Sequence, residues 1–475
     1  MKTYVLEYNG ELKFHSNTNR SNNRGYYKEE LEKCLKCEKY RNYNVICIED
    51  DLKKYNIPKK FVGYNSLLKK ECISFLSWYM EYSYRNIKIK DFSLPFKVDN
   101  NIEYREKLGL FFEQYKKALN CPAFVYEKGL LECVEKVCDL LISAIDNLID
   151  KNEKFAEKKI KDFLELFQGN SFFISDLDKS YSFRGIAPFT DFYSEGYEED
   201  YEKMMSEKLT FFRVRTRNKY DNTTDISEAE QMLHLPYKMK NKAVSMRFSS
   251  AGLPGLYLGT TTLVCSKETM WDNNKELYGS VFIPNDKGKR LKILNLTISE
   301  ALINGIYNKH SDFNDKRRRL QNTMLKIYPL VIATSFYVKE KEVIKYHYLL
   351  SQTLMKVANS MGIDGVAYLS MKGENEYQYP QGVNLYIITN DISENNQYSE
   401  KCGGFDVSKP ILFPGEKAKN EQSYINKIYK ECDSKGEENY WSKVLVDGEK
   451  KFYGETSFGR FDDYLIETFI DDSSI

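Results

Sequence analysis

The segment "MRFSSAGLPGLYLGTTTLVCSKE", residues 246–268, decides how the rest of this sequence is interpreted. Its residues are mostly small and neutral, although 29% of the chain is charged. Its charged side chains are Arg247, Lys267 and Glu268, which lie near the two ends. Small residues let a ligand approach the backbone closely. Two interpretations follow: a hairpin-like piece of core, or the lining of a pocket with Arg247 and Glu268 as its charged groups.

The composition is that of an ordinary globular protein. With 475 residues the chain is long enough for two or three domains. Its 70 basic and 69 acidic residues leave a net charge of +1, which gives no general attraction to nucleic acid or membranes. The start, "MKTYVLEYNGELKF", lacks the apolar stretch of a signal peptide, and no run reaches the about 18 apolar residues of a membrane span. We expect a cytoplasmic protein with no membrane partner, and the charge balance does not favour nucleic acid as a partner.

The cysteines and histidines give little support for a metal site. The ten cysteines are scattered, as in a reduced cytosolic chain, and Cys34 and Cys37 form the single CxxC pair. This pair has two interpretations, half of a zinc site or two cysteines on or near a helix. His15, His234, His310 and His347 have no metal-ligand spacing. We therefore expect no bound metal.

The pattern of apolar residues along the sequence changes near residue 180. Before it, apolar residues recur at three- and four-residue spacing, which indicates a helical bundle. After it, β-rich runs such as "FFRVRTR", "LVIATSFYV" and "GVNLYIIT" alternate with helical segments such as "ISEALINGIYNKH". This alternation predicts an α+β fold. The predicted domains are a polar segment 1–60, a helical domain 61–178, an α+β domain 179–398 and an extension 399–475, which either forms an appendage or wraps back on the main domain.

Several enzyme classes lack their motifs in this chain. No GxSxG turn is present for a hydrolase triad, and neither GxGxxG nor GxxxxGK[ST] is present for a nucleotide site. The helical half also lacks the Arg–His pair of a metal-independent RNase, which argues against a nuclease.

Scattered polar residues remain as candidates. Arg213 and Arg215 are two apart on a predicted strand and so project to one face, where an anion or nearby carboxylates would relieve their repulsion. Tyr257 is either a core residue or a flat surface for an aromatic ligand. Glu268 follows a run of threonines, Thr260–Thr262, of which one could cap a helix.

Taken in order, six segments resemble the RES domain family, named for its Arg, Glu and Ser. They span about residues 209–390 and read "FFRVR", "MRFSSAG", "LYLGTTTLVCSKE", "ILNLT", "SQTLMKVANSMGIDGVAYLS" and "GVNLYI". The chain departs from the family at Met246 and Ser249, where Gly and Asn are usual, and at Ser351, where Pro is common. The helical half is similar to the HEPN-like domains sometimes fused ahead of RES domains.

This resemblance implies an ADP-ribosyltransferase-like fold that takes NAD as substrate and needs no cofactor. Most such enzymes are toxins that destroy NAD by hydrolysis or by phosphorolysis, with inorganic phosphate as co-substrate in the latter case. The resemblance implies catalytic roles for Glu268, Arg247 and Ser370. It implies substrate-binding roles for Arg213, Arg215, Tyr257 and Gln352.

The expected function is therefore an NAD glycohydrolase or NAD phosphorylase that cleaves the nicotinamide–ribose bond, in a toxin–antitoxin or anti-phage defence setting. Two alternatives stay open: an ADP-ribosyltransferase that modifies a protein or nucleic acid, and a nucleotide-sensing module without catalysis. Because NAD loss is toxic, we expect a neutralising antitoxin or an activating trigger as partner. The N-terminal helices are the expected site of any oligomerisation.

Overall fold

The computed structural model describes most of the α+β half and part of the remainder. The described residues are 4–8, 11–13, 44–47, 92, 94–119, 129–183, 209–220, 225–272, 274–300, 303, 315–338, 345–372, 382–413, 443–446, 449–453 and 456–472. Cys34 and Cys37 lie outside these ranges, as do His15 and His310.

The chain divides into two compact units, each assembled from separate segments. The first comprises 1–92, 109–138 and 300–329, and the second comprises 93–108, 139–299 and 330–475. Within the first unit, the Tyr115 hydroxyl donates to the carbonyl of Leu325 at 2.8 Å. Every residue of the candidate site lies in the second unit. The domain boundaries at 60, 178 and 398 stay a prediction.

Sixteen strands are present in the described residues. They are β1 Tyr4–Tyr8, β2 Glu11–Lys13, β3 Asn44–Cys47, β4 Phe96–Val98, β5 Ile174–Asp176, β6 Phe211–Asn218, β7 Gly255–Gly259, β8 Lys275–Pro284, β9 Lys292–Leu296, β10 Phe336–Val338, β11 Gly365–Leu369, β12 Val383–Ile388, β13 Phe405–Val407, β14 Ile411–Leu412, β15 Lys443–Val446 and β16 Glu449–Phe452.

Eight α-helices accompany them in the same part of the chain. They are α1 Asn101–Leu119, α2 Leu130–Ile149, α3 Glu153–Glu165, α4 Thr262–Glu268, α5 Asp286–Lys289, α6 Asp315–Thr334, α7 Tyr346–Ser360 and α8 Ser457–Asp472. No helix among the described residues is long and apolar enough to cross a membrane. Helices α1 to α3 fall in the range predicted as helical, and the HEPN-like bundle stays a prediction.

A mixed nine-stranded sheet forms the centre of the second unit. Its order is β13-β8-β6-β7-β12-β11-β9-β5, and β14 also pairs with β8. The β9–β11 pair is parallel, and the other pairs are antiparallel. Strand β12 lies near the middle and is buried along its whole length, as expected of a strand covered on both faces. A mixed sheet with helices is consistent with the α+β class expected from the sequence.

Smaller sheets lie elsewhere in the chain. Strands β1, β2 and β3 form an antiparallel sheet within the range described above as a polar segment. Strands β4 and β10 pair in parallel, and β15 and β16 form an antiparallel pair. In the C-terminal extension, β13 and β14 continue the central sheet through β8, so residues 405–412 lie on the main fold rather than in an appendage.

One local expectation from the sequence is wrong. The run "LVIATSFYV", residues 330–338, was expected to be a strand, but helix α6 continues to Thr334 and only Phe336–Val338 is extended. Val331 and Ile332 are buried, and a short buried apolar run has no periodicity that separates a helix from a strand. Of the two interpretations of residues 246–268, the hairpin is not found, because strand β7 in this segment is followed by helix α4. Most of "ISEALINGIYNKH" lies outside the described residues.

Candidate active site

A cavity of about 280 Å³ opens on the central sheet of the second unit. This volume is close to the lower end of the roughly 300–1,000 Å³ typical of small-molecule sites. Its lining includes Arg213 of β6, Tyr257 of β7, Glu268 at the end of α4 and Asn384 of β12. Three of the seven predicted site residues, Arg213, Tyr257 and Glu268, therefore face one cavity.

The Glu268 carboxylate is held by two hydrogen bonds to a single oxygen. Ser370 Oγ donates to Oε1 at 2.7 Å, and Asn384 Nδ2 donates to the same oxygen at 2.8 Å. No described residue donates to Oε2. One oxygen of the carboxylate is thus fixed in place, while the other stays available to a ligand in the cavity.

Helix α4 places Glu268 there because of how it begins. Thr261 is in an extended conformation and its hydroxyl accepts the N–H of Val264 at 3.1 Å, which makes Thr261 the N-cap. This confirms the expectation that one of the three threonines caps the helix. Residues 262–266 are buried, so the helix is anchored in the core and its last residue, Glu268, emerges at the cavity.

Arg213 brings positive charge to the same cavity. Burial, reinforced by repulsion from Arg215, lowers the pKa of its guanidinium to about 10, so the group stays cationic at neutral pH. Its Nη1 atom is buried without a hydrogen-bond partner. An unsatisfied buried cation is costly for a fold, and an anionic ligand would relieve that cost.

Arg215 and Arg217 follow Arg213 at two-residue intervals on β6 but have different surroundings. Arg215 Nη2 donates to the carbonyl of Leu233 at 3.0 Å, and Arg215 does not line the cavity. Arg217 pairs with Glu276, with Nη2 2.6 Å from Oε2. The sequence-based expectation that Arg215 binds substrate or supports Glu268 stays a prediction, and its one described hydrogen bond goes to the 225–250 segment.

Tyr257 forms part of the cavity wall. Its hydroxyl lies 2.9 Å from Ser249 Oγ, and its ring packs against Tyr386 with centroids 4.7 Å apart. Burial raises the pKa of the phenol well above its usual value, so the hydroxyl keeps its proton. Tyr257 therefore offers the cavity an aromatic surface of fixed orientation.

Arg247 lies behind the cavity wall and not in the lining. Its Nη2 donates to Ser335 Oγ at 3.0 Å and its Nη1 donates to the carbonyl of Leu369 at 3.2 Å. The guanidinium carbon lies 5.0 Å from the ring centroid of Tyr368, which does line the cavity. Arg247 thus supports Tyr368 and the residue before Ser370, and its direct contact with a phosphate stays a prediction.

Gln352 forms hydrogen bonds with the segment around Arg247. Its Nε2 lies 2.7 Å from the carbonyl of Met246 and 2.9 Å from Ser245 Oγ, and its Oε1 accepts from Ser250 Oγ at 3.3 Å. These bonds occupy both ends of the amide. The structure therefore assigns Gln352 a position against the 245–250 loop, outside the cavity lining, whereas the resemblance implied contact with substrate.

Two residues of the site were not among the predicted ones. Asn384 binds Glu268 directly, and Tyr368 contributes a wall. Asn384 lies in "GVNLYI", the last of the six segments behind the resemblance, so the signal for it was present in the sequence. Tyr368 lies in "SQTLMKVANSMGIDGVAYLS", the fifth of these segments, so a signal for it was present as well, although a tyrosine in a buried strand resembles any core residue.

The chemistry of the site rests on charged and aromatic groups. The described part of the chain contains no group of three or more His, Cys, Asp and Glu side chains that could hold a metal ion. Arg213 and Glu268 bring opposite charges to one cavity, and Tyr257 brings an aromatic face. This set suits a ligand with an anionic part, a cationic or polar part and a planar ring.

Comparison with known proteins finds similarity to a curated protein by sequence and to a solved structure. The chain is 27% identical over 267 residues to a Bacillus subtilis (strain 168) protein named "Putative toxin YopC", and the match covers 54% of this chain and 56% of that protein. The chain therefore spans about half the length of this relative. A search of family models finds no match.

The solved structure is the crystal structure of the M. tuberculosis MbcT–MbcA toxin–antitoxin complex. It matches with 10% sequence identity and a TM-score of 0.21, over 43% of this chain and 85% of that chain. A TM-score this low gives no support for a common fold.

Proposed function

We propose that this protein is a toxin-type enzyme that cleaves the nicotinamide–ribose bond of NAD. The observation that carries the proposal is the Glu268 carboxylate, which Ser370 and Asn384 fix through Oε1 in a cavity that also contains an unpaired cation, Arg213. NAD combines a pyrophosphate anion with a cationic pyridinium ring, so its two charges match those two groups.

The reaction needs stabilisation of positive charge more than a strong nucleophile. When the bond between the ribose C1 and the nicotinamide nitrogen breaks, the ring takes the bonding electron pair and leaves as a neutral amide. The ribose is left as an oxocarbenium-like cation. A fixed carboxylate beside that cation stabilises it without having to reorganise, and this is the role of Glu268.

An acceptor then completes the step. Attack by water gives ADP-ribose and releases one proton, which Oε2 of Glu268 can accept before solvent takes it. Attack by inorganic phosphate gives ADP-ribose phosphorylated at the same carbon. A side chain of another protein as acceptor makes the enzyme an ADP-ribosyltransferase. All three outcomes use the same cleavage.

Substrate binding follows from the remaining groups. The Arg213 guanidinium can form charge-assisted bonds with the pyrophosphate. Tyr257 supplies a face on which a nicotinamide ring stacks. Val244 and Leu253 line the mouth and are 68% and 50% exposed, which provides apolar surface for the part of a dinucleotide that extends beyond the cavity.

The toxin part of the proposal is supported by the relative in Bacillus subtilis, whose name is "Putative toxin YopC". Cleavage of NAD depletes a compound on which every cell depends. A cell that makes this enzyme therefore needs a neutralising partner or a trigger that restricts activity. We therefore propose that a protein antitoxin is the partner of this enzyme.

Product analysis tests this function. The purified full chain is incubated with NAD, with and without inorganic phosphate, and the products are identified by mass spectrometry. Nicotinamide with ADP-ribose supports a glycohydrolase, and nicotinamide with a phosphorylated ADP-ribose supports a phosphorylase. Nicotinamide release that requires added protein supports a transferase. Binding of NAD without any nicotinamide release contradicts the proposal and favours a sensing module.

A further inference from the structure

The C-terminal helix α8 packs against the short helix that ends at Glu268. Phe458, Phe461 and Leu465 of α8 belong to one buried cluster with Leu263 and Val264 of α4. Burial of large apolar side chains on this scale fixes one element against another. Helix α8 is therefore part of the core that carries the candidate site.

The central sheet makes room for α8 at one position. A Cβ atom on Gly279 of β8 would lie 2.6 Å from Cε1 of Phe461. A glycine within a strand commonly marks such a close approach. Gly279 thus leaves space for Phe461, so helix α8 packs closely against the sheet at this position.

Asp462 of α8 contacts the first residue of α4. Its carboxylate accepts the backbone N–H of Thr262 at 3.1 Å, and it also accepts the Thr262 hydroxyl. The Tyr453 hydroxyl donates to the other oxygen at 2.5 Å. Asp462, Thr262 and Tyr453 are all fully buried. The N–H groups of the first helical turn have no partner within the helix, so Asp462 supplies a bond that α4 cannot make for itself.

The short length of α4 links this contact to the cavity. Seven residues at 1.5 Å each make a rod of roughly 10 Å, with Asp462 at one end and Glu268 at the other. Oε1 of Glu268 must stay within hydrogen-bond distance of both Ser370 and Asn384. A tilt of the rod at its first residue moves the carboxylate away from those donors.

We propose that Asp462 is a positioning residue for Glu268, so that the C-terminal helix belongs to the catalytic apparatus. Its effect on turnover rests on the proposed function, whereas its effect on helix α4 does not. Displacement of a reacting group by about 1 Å can cost roughly 100-fold in rate. We expect loss of Asp462 to lower kcat for NAD cleavage about 10- to 100-fold and to change KM about two-fold or less.

The test uses the full chain with three substitutions. Asp462→Ala removes all three acceptor contacts, and Asp462→Asn keeps the size and one acceptor oxygen. Thr262→Val removes the hydroxyl contact from the other side with little change in shape. Tyr464→Ala is the control, because Tyr464 lies on the exposed side of the same helix and is 43% exposed.

Two measurements separate the possible outcomes. Hydrogen exchange of the amides at 262–268, without NAD, reports whether α4 is loosened. The kcat and KM for NAD, divided by the folded fraction from circular dichroism, report whether Glu268 is misplaced. We expect the fastest exchange and the lowest kcat in Asp462→Ala, and smaller changes in Asp462→Asn and Thr262→Val. Tyr464→Ala should match the wild type in both measurements.

Wild-type exchange at 262–268 in Asp462→Ala, or a wild-type kcat per folded molecule, overturns the positioning role. If Asp462→Ala does not fold, the Asn and Val substitutions decide by the same two criteria. A wild-type chain that leaves NAD intact is a failure of the proposed function alone. In that case the exchange data still decide whether Asp462 anchors α4.

Discussion

The Ser370 hydroxyl donates a 2.7 Å hydrogen bond to Oε1 of Glu268 across 102 residues of sequence. The bond joins the end of β11 to the end of α4. Asn384 reaches the same oxygen from β12. Three elements therefore determine the position of one carboxylate, and its second oxygen remains for a ligand.

Removal of either donor should weaken catalysis. Hydrogen bonds to a charged group contribute about 1.5–3 kcal/mol, so Ser370→Ala and Asn384→Ala should each lower kcat for NAD cleavage about ten-fold or more. Ser393→Ala is the matched control, because Ser393 is exposed, is not part of the cavity lining, and its hydroxyl accepts only the N–H of Asn396 among the described residues. Steady-state kinetics with NAD provides the measurement, and wild-type kcat in both site variants would contradict the role given to the two donors.

Replacement of Arg213 should lower the affinity for NAD and raise the stability of the folded protein. Its guanidinium is buried without a partner at Nη1, so Arg213→Met should raise the free energy of unfolding by about 1 kcal/mol while it raises KM for NAD. Arg217→Met is the control on the same strand, since it breaks the ion pair with Glu276 and should not raise stability. Denaturant titration and kinetics test the pair of effects; a loss of stability in Arg213→Met would show that Arg213 is a structural cation.

The main effect of substituting Gln352 should be on the 245–250 loop and not on ligand binding. Gln352→Leu removes the bonds to Ser245, Met246 and Ser250, and so we expect faster hydrogen exchange at 245–250 in the absence of NAD. Lys356→Ala, one turn later on α7 and exposed, should leave that loop unchanged. A higher KM with unchanged exchange at 245–250 would instead support direct contact between Gln352 and substrate.

Asp462 should make stability depend on pH. Burial, with repulsion from Asp463, raises the pKa of its carboxyl to about 8, while hydrogen bonds from Thr262 and Tyr453 oppose the shift. The folded state then retains a proton that the unfolded chain releases near pH 4, so stability falls as pH rises from about 4 to about 8, at up to about 1.4 kcal/mol per pH unit, and levels off above about 8.

Asp462→Asn cannot titrate and should remove that part of the slope. Denaturant titrations of the wild type and the variant across this pH window provide the measurement. The stability of the wild type relative to the variant should fall as pH rises. A difference that stays constant across the window would show that Asp462 is ionised throughout.

The sequence predicts the central sheet well where a strand has turn residues on both sides. Strands β6 and β12 were expected from "FFRVRTR" and "GVNLYIIT", and the cap at Thr261 was expected from the threonine cluster. The sequence predicts secondary structure less well where a run of residues is apolar throughout. The run 330–334 is helical, because packing within the second unit decides between helix and strand when periodicity is absent.

The site was predictable in its residue types and less so in its contacts. Glu268, Arg213 and Tyr257 line one cavity as expected, but Arg247 and Gln352 act on its supporting elements. Sequence spacing cannot distinguish a residue that faces a cavity from one that faces the loop beside it. The link between Asp462 and Thr262 was likewise hidden, because it joins residues 200 apart.

The decisive measurement is the rate of nicotinamide release from NAD by the wild type, by Glu268→Gln and by Glu276→Gln. Glu276 lies on the same sheet and pairs with Arg217 outside the cavity, so its substitution makes the same chemical change at an unrelated carboxylate. We expect wild-type and Glu276→Gln enzymes to release nicotinamide at similar rates, and Glu268→Gln to lose about 100-fold or more while it keeps the same melting temperature. Equal rates in all three proteins, or no release by the wild type, would contradict the assignment of this cavity as an NAD-cleaving site.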